Sequence, residues 1–152
     1  MFKNPSLIMR ITYGKTAGFV LAGALFLIFP YLFPELSTAY KWGFVLYYAL
    51  IGAVIGLSGI ISTVPVLGIP LPWWFRGPWI GAWMDFILML FIYDKIGAML
   101  TGFFGAGTFF SSPLWLIADG ACFGLLVDYI CTRFAGEGPD CVVNDNLEIT
   151  PK

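Results

Sequence analysis

Long apolar stretches separated by single charges set the layout of this chain. No charged residue falls at positions 16–34, 42–75, 77–84, 86–93 or 96–118, and a helix crosses the ~30 Å hydrocarbon core of a bilayer with ~20 mostly apolar residues. Backbone polar groups find no water in lipid, so each crossing must be helical, or irregular only where protein shields it. The pattern predicts an all-α, polytopic membrane protein with four transmembrane helices at about 17–33, 43–64, 77–93 and 114–131. A basic segment, residues 1–15, precedes them. Residues 134–152 hold Glu137, Asp140, Asp145 and Glu148 against Lys152 with no apolar period, and are expected to form an acidic, flexible tail.

Amphipathic rings prefer the two water–lipid boundaries. Tyr31, Tyr40, Trp42, Tyr93 and Trp115 fall at one set of predicted ends, and Trp73, Trp74 and Trp79 at the other. The proline-rich stretch 69–78 is expected to lie irregularly in the headgroup region. Residues 96–113, with Gly97, Gly102, Gly105 and Gly107, are either a fifth span or an outer segment: a continuation of the third helix, an interfacial turn or a re-entrant piece. The basic residues decide the number. Four spans with both termini cytoplasmic put Lys3, Arg10, Lys15, Arg76, Arg133 and Lys152 inside against Lys41 and Lys95 outside, as the positive-inside rule asks. Five spans would make it four against four. The first apolar run of roughly 17 residues exceeds the 7–15 of a secretory signal core, so an uncleaved helix is expected there.

Composition agrees: 59% hydrophobic, 18% aromatic and 11% charged residues, against roughly 25% charged in soluble domains, with a mean hydropathy of +0.86. A soluble domain, a coiled coil and a disulfide scaffold are excluded, and no basic surface for nucleic acid follows from a net charge of −1. The expected location is a plasma membrane, a bacterial inner membrane.

Helices in lipid gain little by hiding apolar surface and associate where small residues let backbones approach. Three Gly-x-x-x-Gly pairs fall within the predicted spans: Gly52 with Gly56, Gly77 with Gly81, and Gly120 with Gly124. The strings GAVIGL at 52–57 and GACFGL at 120–125 are alike, as are stretches around Gly23 and Gly81. The offsets, 120 − 52 = 68 and 81 − 23 = 58, suggest a two-plus-two tandem repeat whose difference the glycine-rich insert absorbs.

Three aspartates, Asp85, Asp119 and Asp128, lie within predicted spans, where each costs ~2.5–3.5 kcal/mol at the centre of a helix on the insertion scale. Gly77, Gly81 and Asp85 are spaced by four, as are Gly120, Gly124 and Asp128, so two of the carboxyls share a face with a glycine pair and point into a helix interface. Asp128 has candidate ion-pair partners in Arg76 and Arg133. Asp85 and Asp119 have no basic residue in their own spans, so each either keeps its proton or is held by a polar neighbour; they are candidates for a proton or cation site, or for fixing helix register.

The chain has no histidine, which excludes imidazole-ligated haem and metal and a histidine-based triad. Cys122, Cys131 and Cys141 form no Cys-x-x-Cys pair, and no phosphate loop is present. The expectation is a non-enzymatic protein without cofactor or metal, partnered by the bilayer and by itself or other membrane subunits. It would act as a helix-packing or accessory component of a homo-oligomer or larger complex; the alternative is a small proton- or cation-conducting channel or carrier using the intramembrane aspartates.

Overall fold

The computed structural model describes residues 5–34, 36–63 and 68–149. It is all-helical: α1 (Leu7–Leu32), α2 (Thr38–Ser58), α3 (Trp73–Phe104), α4 (Trp115–Ala135) and α5 (Asp140–Ile149), with one 3₁₀ turn at Phe109–Ser111. Helices α1 to α4 are each long and apolar enough to cross a membrane.

Helix boundaries follow local chemistry. Ser6 caps α1 by accepting from the Met9 amide at 3.2 Å, and Ser37 does the same for α2 with Tyr40. α1 begins ten residues before the predicted span and carries Arg10 and Lys15 within it. α3 likewise begins at Trp73, inside the stretch expected to be irregular, and runs through Pro78. That proline sits in the second turn and removes a single backbone bond, a small disruption beside that of a proline deep in a helix. At its other end α3 changes direction at Ile92 (φ −123°, ψ 25°), just before Asp94 and Lys95, and continues to Phe104. Of the readings open for 96–113, continuation of the third helix describes its first half. Gly105, at φ +88°, ends the helix in a conformation that suits glycine.

Two antiparallel hairpins, α1–α2 and α3–α4, make up the bundle, joined chiefly by α1 against α4 and more thinly by α2 against α3 and α4. Glycines set the closeness within each hairpin. A Cβ at Gly14 or Gly52 would fall on the other's carbonyl oxygen, and the same reciprocity links Gly81 with Gly120 and Gly77 with Gly124. Gly56 lies as tightly on the Arg10 carbonyl. The Gly-x-x-x-Gly faces are thus occupied within the chain. Gly23 has open space around it, so its match to Gly81 is one of sequence and not of packing. Buried apolar side chains gather where the hairpins meet, at Val45, Ile51, Ile55, Val127 and Cys131.

After α4, where an acidic, flexible tail was expected, the structure places a fifth helix. Asp140–Ile149 is helical, with Cys141 fully buried and Asp145 accepting from the Ile8 amide at 3.0 Å, at the positive end of α1. Counting charges missed it because Asp145 serves as a helix cap. Burial pulls the Asp145 carboxyl upward, but hydrogen bonds from Ser6, Ile8 and Leu7 outweigh that and hold it below the usual carboxylate range. A depressed carboxyl stabilises the fold above its unfolded pKa, and that contribution disappears as pH falls through the folded value.

Two outcomes follow for stability. Gly81→Ala and Gly14→Ala should each destabilise by about 1–3 kcal/mol through overpacking, while Gly23→Ala should leave the thermal midpoint in detergent unchanged or raised; equal midpoints for all three would refute the packing account. Relative to the intrinsic amide rate, protection of Leu7 and Ile8 should hold at neutral pH and be lost only as acid protonates Asp145, below the usual carboxylate range, and an Asp145→Asn variant should have lost it already at pH 7.

Candidate functional site

Two polar clusters lie inside the bundle. The first forms around Asp85, which the four-residue spacing from Gly81 places on the α3 face against α4. Gly120 makes room for it, since a Cβ there would lie 2.7 Å from both Asp85 Cβ and Oδ2. From the other hairpin, the buried Tyr48 of α2 brings its hydroxyl 3.1 Å from Asp85 Oδ2 and 2.8 Å from Asp119 Oδ2. Asp85 and Asp119 are thereby linked through one phenol. A phenol has one proton to donate, so Tyr48 can satisfy only one acceptor, and the other short contact needs a proton on that acid. The triad therefore holds at least two protons.

Asp85 is fully buried, and its Oδ1 is, among the described residues, the buried side-chain polar atom with no hydrogen-bond partner. Asp119 is exposed and lines a groove of about 400 Å³ with Ala22, Leu25, Cys122 and Phe123. Across the bundle, Tyr47 donates to the Met84 carbonyl at 2.6 Å and faces a second groove of about 370 Å³ between α2 and α3, beside the Ile92 bend. Tyr47, Asp85, Tyr48 and Asp119 thus span the space between two apolar grooves.

The second cluster closes the end of the bundle where α1 and α3 begin. Asp128 receives Arg10 Nη2 at 2.7 Å and the Arg76 fork at 2.9 and 3.1 Å. Arg76 was one of the two foreseen partners; the second guanidinium comes from Arg10. Both arginines are almost wholly buried, and their remaining donors reach the carbonyls of Gly56, Ile61 and Gly136, Thr132 Oγ1 and Glu137. Gly136, at φ +74°, turns the chain after α4 so that its carbonyl meets Arg10. Gly77 leaves space for Asp128 as Gly120 does for Asp85, with a Cβ at Gly77 lying 2.7 Å from the Asp128 Cβ. Arg133 is exposed in the last turn of α4.

Sequence reasoning missed Tyr48, Tyr47 and Arg10. The first two gave no signal, since they lie only four and five residues into the span predicted at 43–64, near the boundary tyrosine prefers, whereas α2 puts them at its middle. Arg10 begins a row, Arg10–Gly14–Gly18–Ala22, spaced by four, and all four are buried. Among the described residues no three acidic or cysteine side chains converge as a metal-ligand set. No protein-family model, curated protein or solved structure matches this chain.

Removing the charge of Asp128 leaves the buried Arg10 without its carboxylate and Arg76 with Glu137 alone. Asp128→Asn should cost about 3–5 kcal/mol, whereas Glu137→Gln, at a carboxylate 39% exposed, should cost less than about 1 kcal/mol. Comparable thermal midpoints for the two variants in detergent would contradict the cluster's role.

Proposed function

We propose that this chain is a small membrane carrier that takes up a proton or cation at Asp85, Tyr48 and Asp119. The observation that supports it best is the Tyr48 hydroxyl, held between two carboxyls that have no basic partner among the described residues. Intramembrane acids of this kind are costly and mark ion or proton sites. A structural lock would be expected to pair them with cations, as Asp128 is paired. Here the acids instead share protons with a phenol, and a groove reaches Asp119.

The two hairpins would be the moving halves, as in carriers built from repeats that rock about a central site. A two-plus-two repeat is supported by packing: Gly14 meets Gly52 as Gly81 meets Gly120, with offsets of 81 − 14 = 67 and 120 − 52 = 68. Placement in a bacterial inner membrane with both termini cytoplasmic is supported by the basic residues. Lys3, Arg10, Lys15, Arg76, Arg133 and Lys152 stand on one side of the four spans against Lys41 and Lys95 on the other.

Membership of a larger assembly is the second reading. Its support is an exposed aromatic row on α3, Phe75, Trp79 and Trp83. The glycine faces that first motivated it are used inside the chain.

Reconstituted in liposomes with an imposed pH or cation gradient, the parent protein should dissipate the gradient. Asp85→Asn and Tyr48→Phe should each slow this by about tenfold or more, with thermal midpoints showing both variants folded. A parent protein without flux overturns the proposal and leaves the assembly reading.

A further inference from the structure

The groove beside Asp119 has features that a site for protons alone would not need. Its volume, about 400 Å³, matches that of the other grooves on the bundle, and the carboxyl of Asp119 sets it apart. Its walls are Ala22, Leu25, Cys122 and Phe123, and its polar groups are Asp119 and the Tyr48 hydroxyl. Ala22 and Ala24 of α1 line it across from Asp119, Cys122 and Phe123 of α4. We propose that this groove binds a lipophilic organic cation, with the apolar body against α1 and α4 and the positive charge on Asp119. The inference rests on the carrier reading and names its cargo.

Charge and shape select this class of ligand. Asp119 is exposed, its hydrogen bond is with Tyr48, and among the described residues no cation pairs with it. A metal ion would want a shell of several oxygens, and a mostly apolar wall does not supply one. A cation that carries its own apolar surface needs no such shell. The Phe123 ring, packed at 4.8 Å from Tyr48 and lining the groove, adds a π face for the charge.

Asp85 is the second, independent observation. It is fully buried behind Tyr48, with Oδ1 unpartnered, so the site holds an acid the groove does not reach directly. A negative charge costs more on the fully buried Asp85 than on the exposed Asp119, so Asp85 donates its proton to the Tyr48 oxygen while Tyr48 donates to a charged Asp119. An arriving cation pairs with Asp119 directly and neutralises the one negative charge of the triad, and no proton has to move.

The test is equilibrium binding of tetraphenylphosphonium to the purified full chain in detergent, beside the liposome flux assay. Saturable binding at one site per chain is expected. Asp119→Asn should weaken it by about tenfold or more, Asp119→Glu should retain it, and Ala24→Phe, which fills the groove without touching the carboxyl, should also weaken it. Unchanged affinity in Asp119→Asn overturns the inference. A parent protein that conducts protons or inorganic cations but shows no saturable binding, as when a lipid chain fills the groove, overturns it and leaves the carrier reading standing. Binding without any flux overturns the carrier reading and keeps the site.

Discussion

The Asp128 carboxylate, held between two guanidiniums, is the contact on which the arrangement of the bundle depends. α1 and α4 meet through Arg10, and α3 meets α4 through Arg76. Two positive charges and one negative leave an excess of one, which Glu137 offsets at the rim. Buried charge is tolerable only when paired and hydrogen-bonded. Here the spare donors reach carbonyls at and beyond the C-terminal ends of α2 and α4, where the helix dipoles are negative and the last carbonyls lack partners. One cluster thus neutralises two arginines and caps two helices. It also explains why α1 extends so far beyond its uncharged run: Arg10 is matched within the bundle, so the helix need not stop before it.

The mid-bundle cluster uses the same local design with the opposite result. On α3 and α4, Gly-x-x-x-Gly-x-x-x-Asp runs antiparallel, and each aspartate fits over a glycine of the other helix, Asp85 over Gly120 and Asp128 over Gly77. The geometry that admits a carboxyl into the interface is the same at both ends. Only the company differs: Asp128 has cations, while Asp85 has a phenol and a second acid. Nine residues along α3, or roughly 13 Å at 1.5 Å per residue, separate Arg76 from Asp85. Between them the backbones of α3 and α4 are in glycine-to-glycine contact, which keeps the two electrostatic environments apart.

Much of this was readable from the sequence because lipid imposes simple rules. Four spans followed from uncharged runs, and the inward direction of Asp85 and Asp128 followed from their spacing to glycine. The failures share one cause, in that a charge was read as a mark of water. Arg10 was assigned to a basic segment ahead of the spans and Asp145 to an acidic, flexible tail, yet one is fully buried and the other caps α1. Whether a charge is solvated or matched depends on which distant residue faces it, and Arg10 and Asp128 are 118 positions apart. Tyr48 was missed for the same reason. Its hydroxyl acquires meaning only when the other hairpin brings Asp85 and Asp119 to it, and no local pattern on α2 announces that meeting.

How the hairpins are joined bears directly on the proposed carrier. At one end the Asp128 cluster and α5 bind them together, whereas toward the other end apolar grooves lie on both sides of the seam and α2 touches α3 only thinly. Asp85 and Asp119 belong to the same hairpin, and Tyr48 to the other. Any relative movement of the halves therefore leaves the spacing of the acids nearly fixed and changes their distance to the phenol. Hydrogen bonds of 2.8 and 3.1 Å are lost once the oxygens separate by about another ångström. A small rocking motion, pivoting at the arginine end, would then disconnect the two acids and strand the proton on whichever one held it. A carrier requires that the site pass its proton in one arrangement and retain it in the other, and a bridging phenol on the opposite hairpin provides both states without any further moving part.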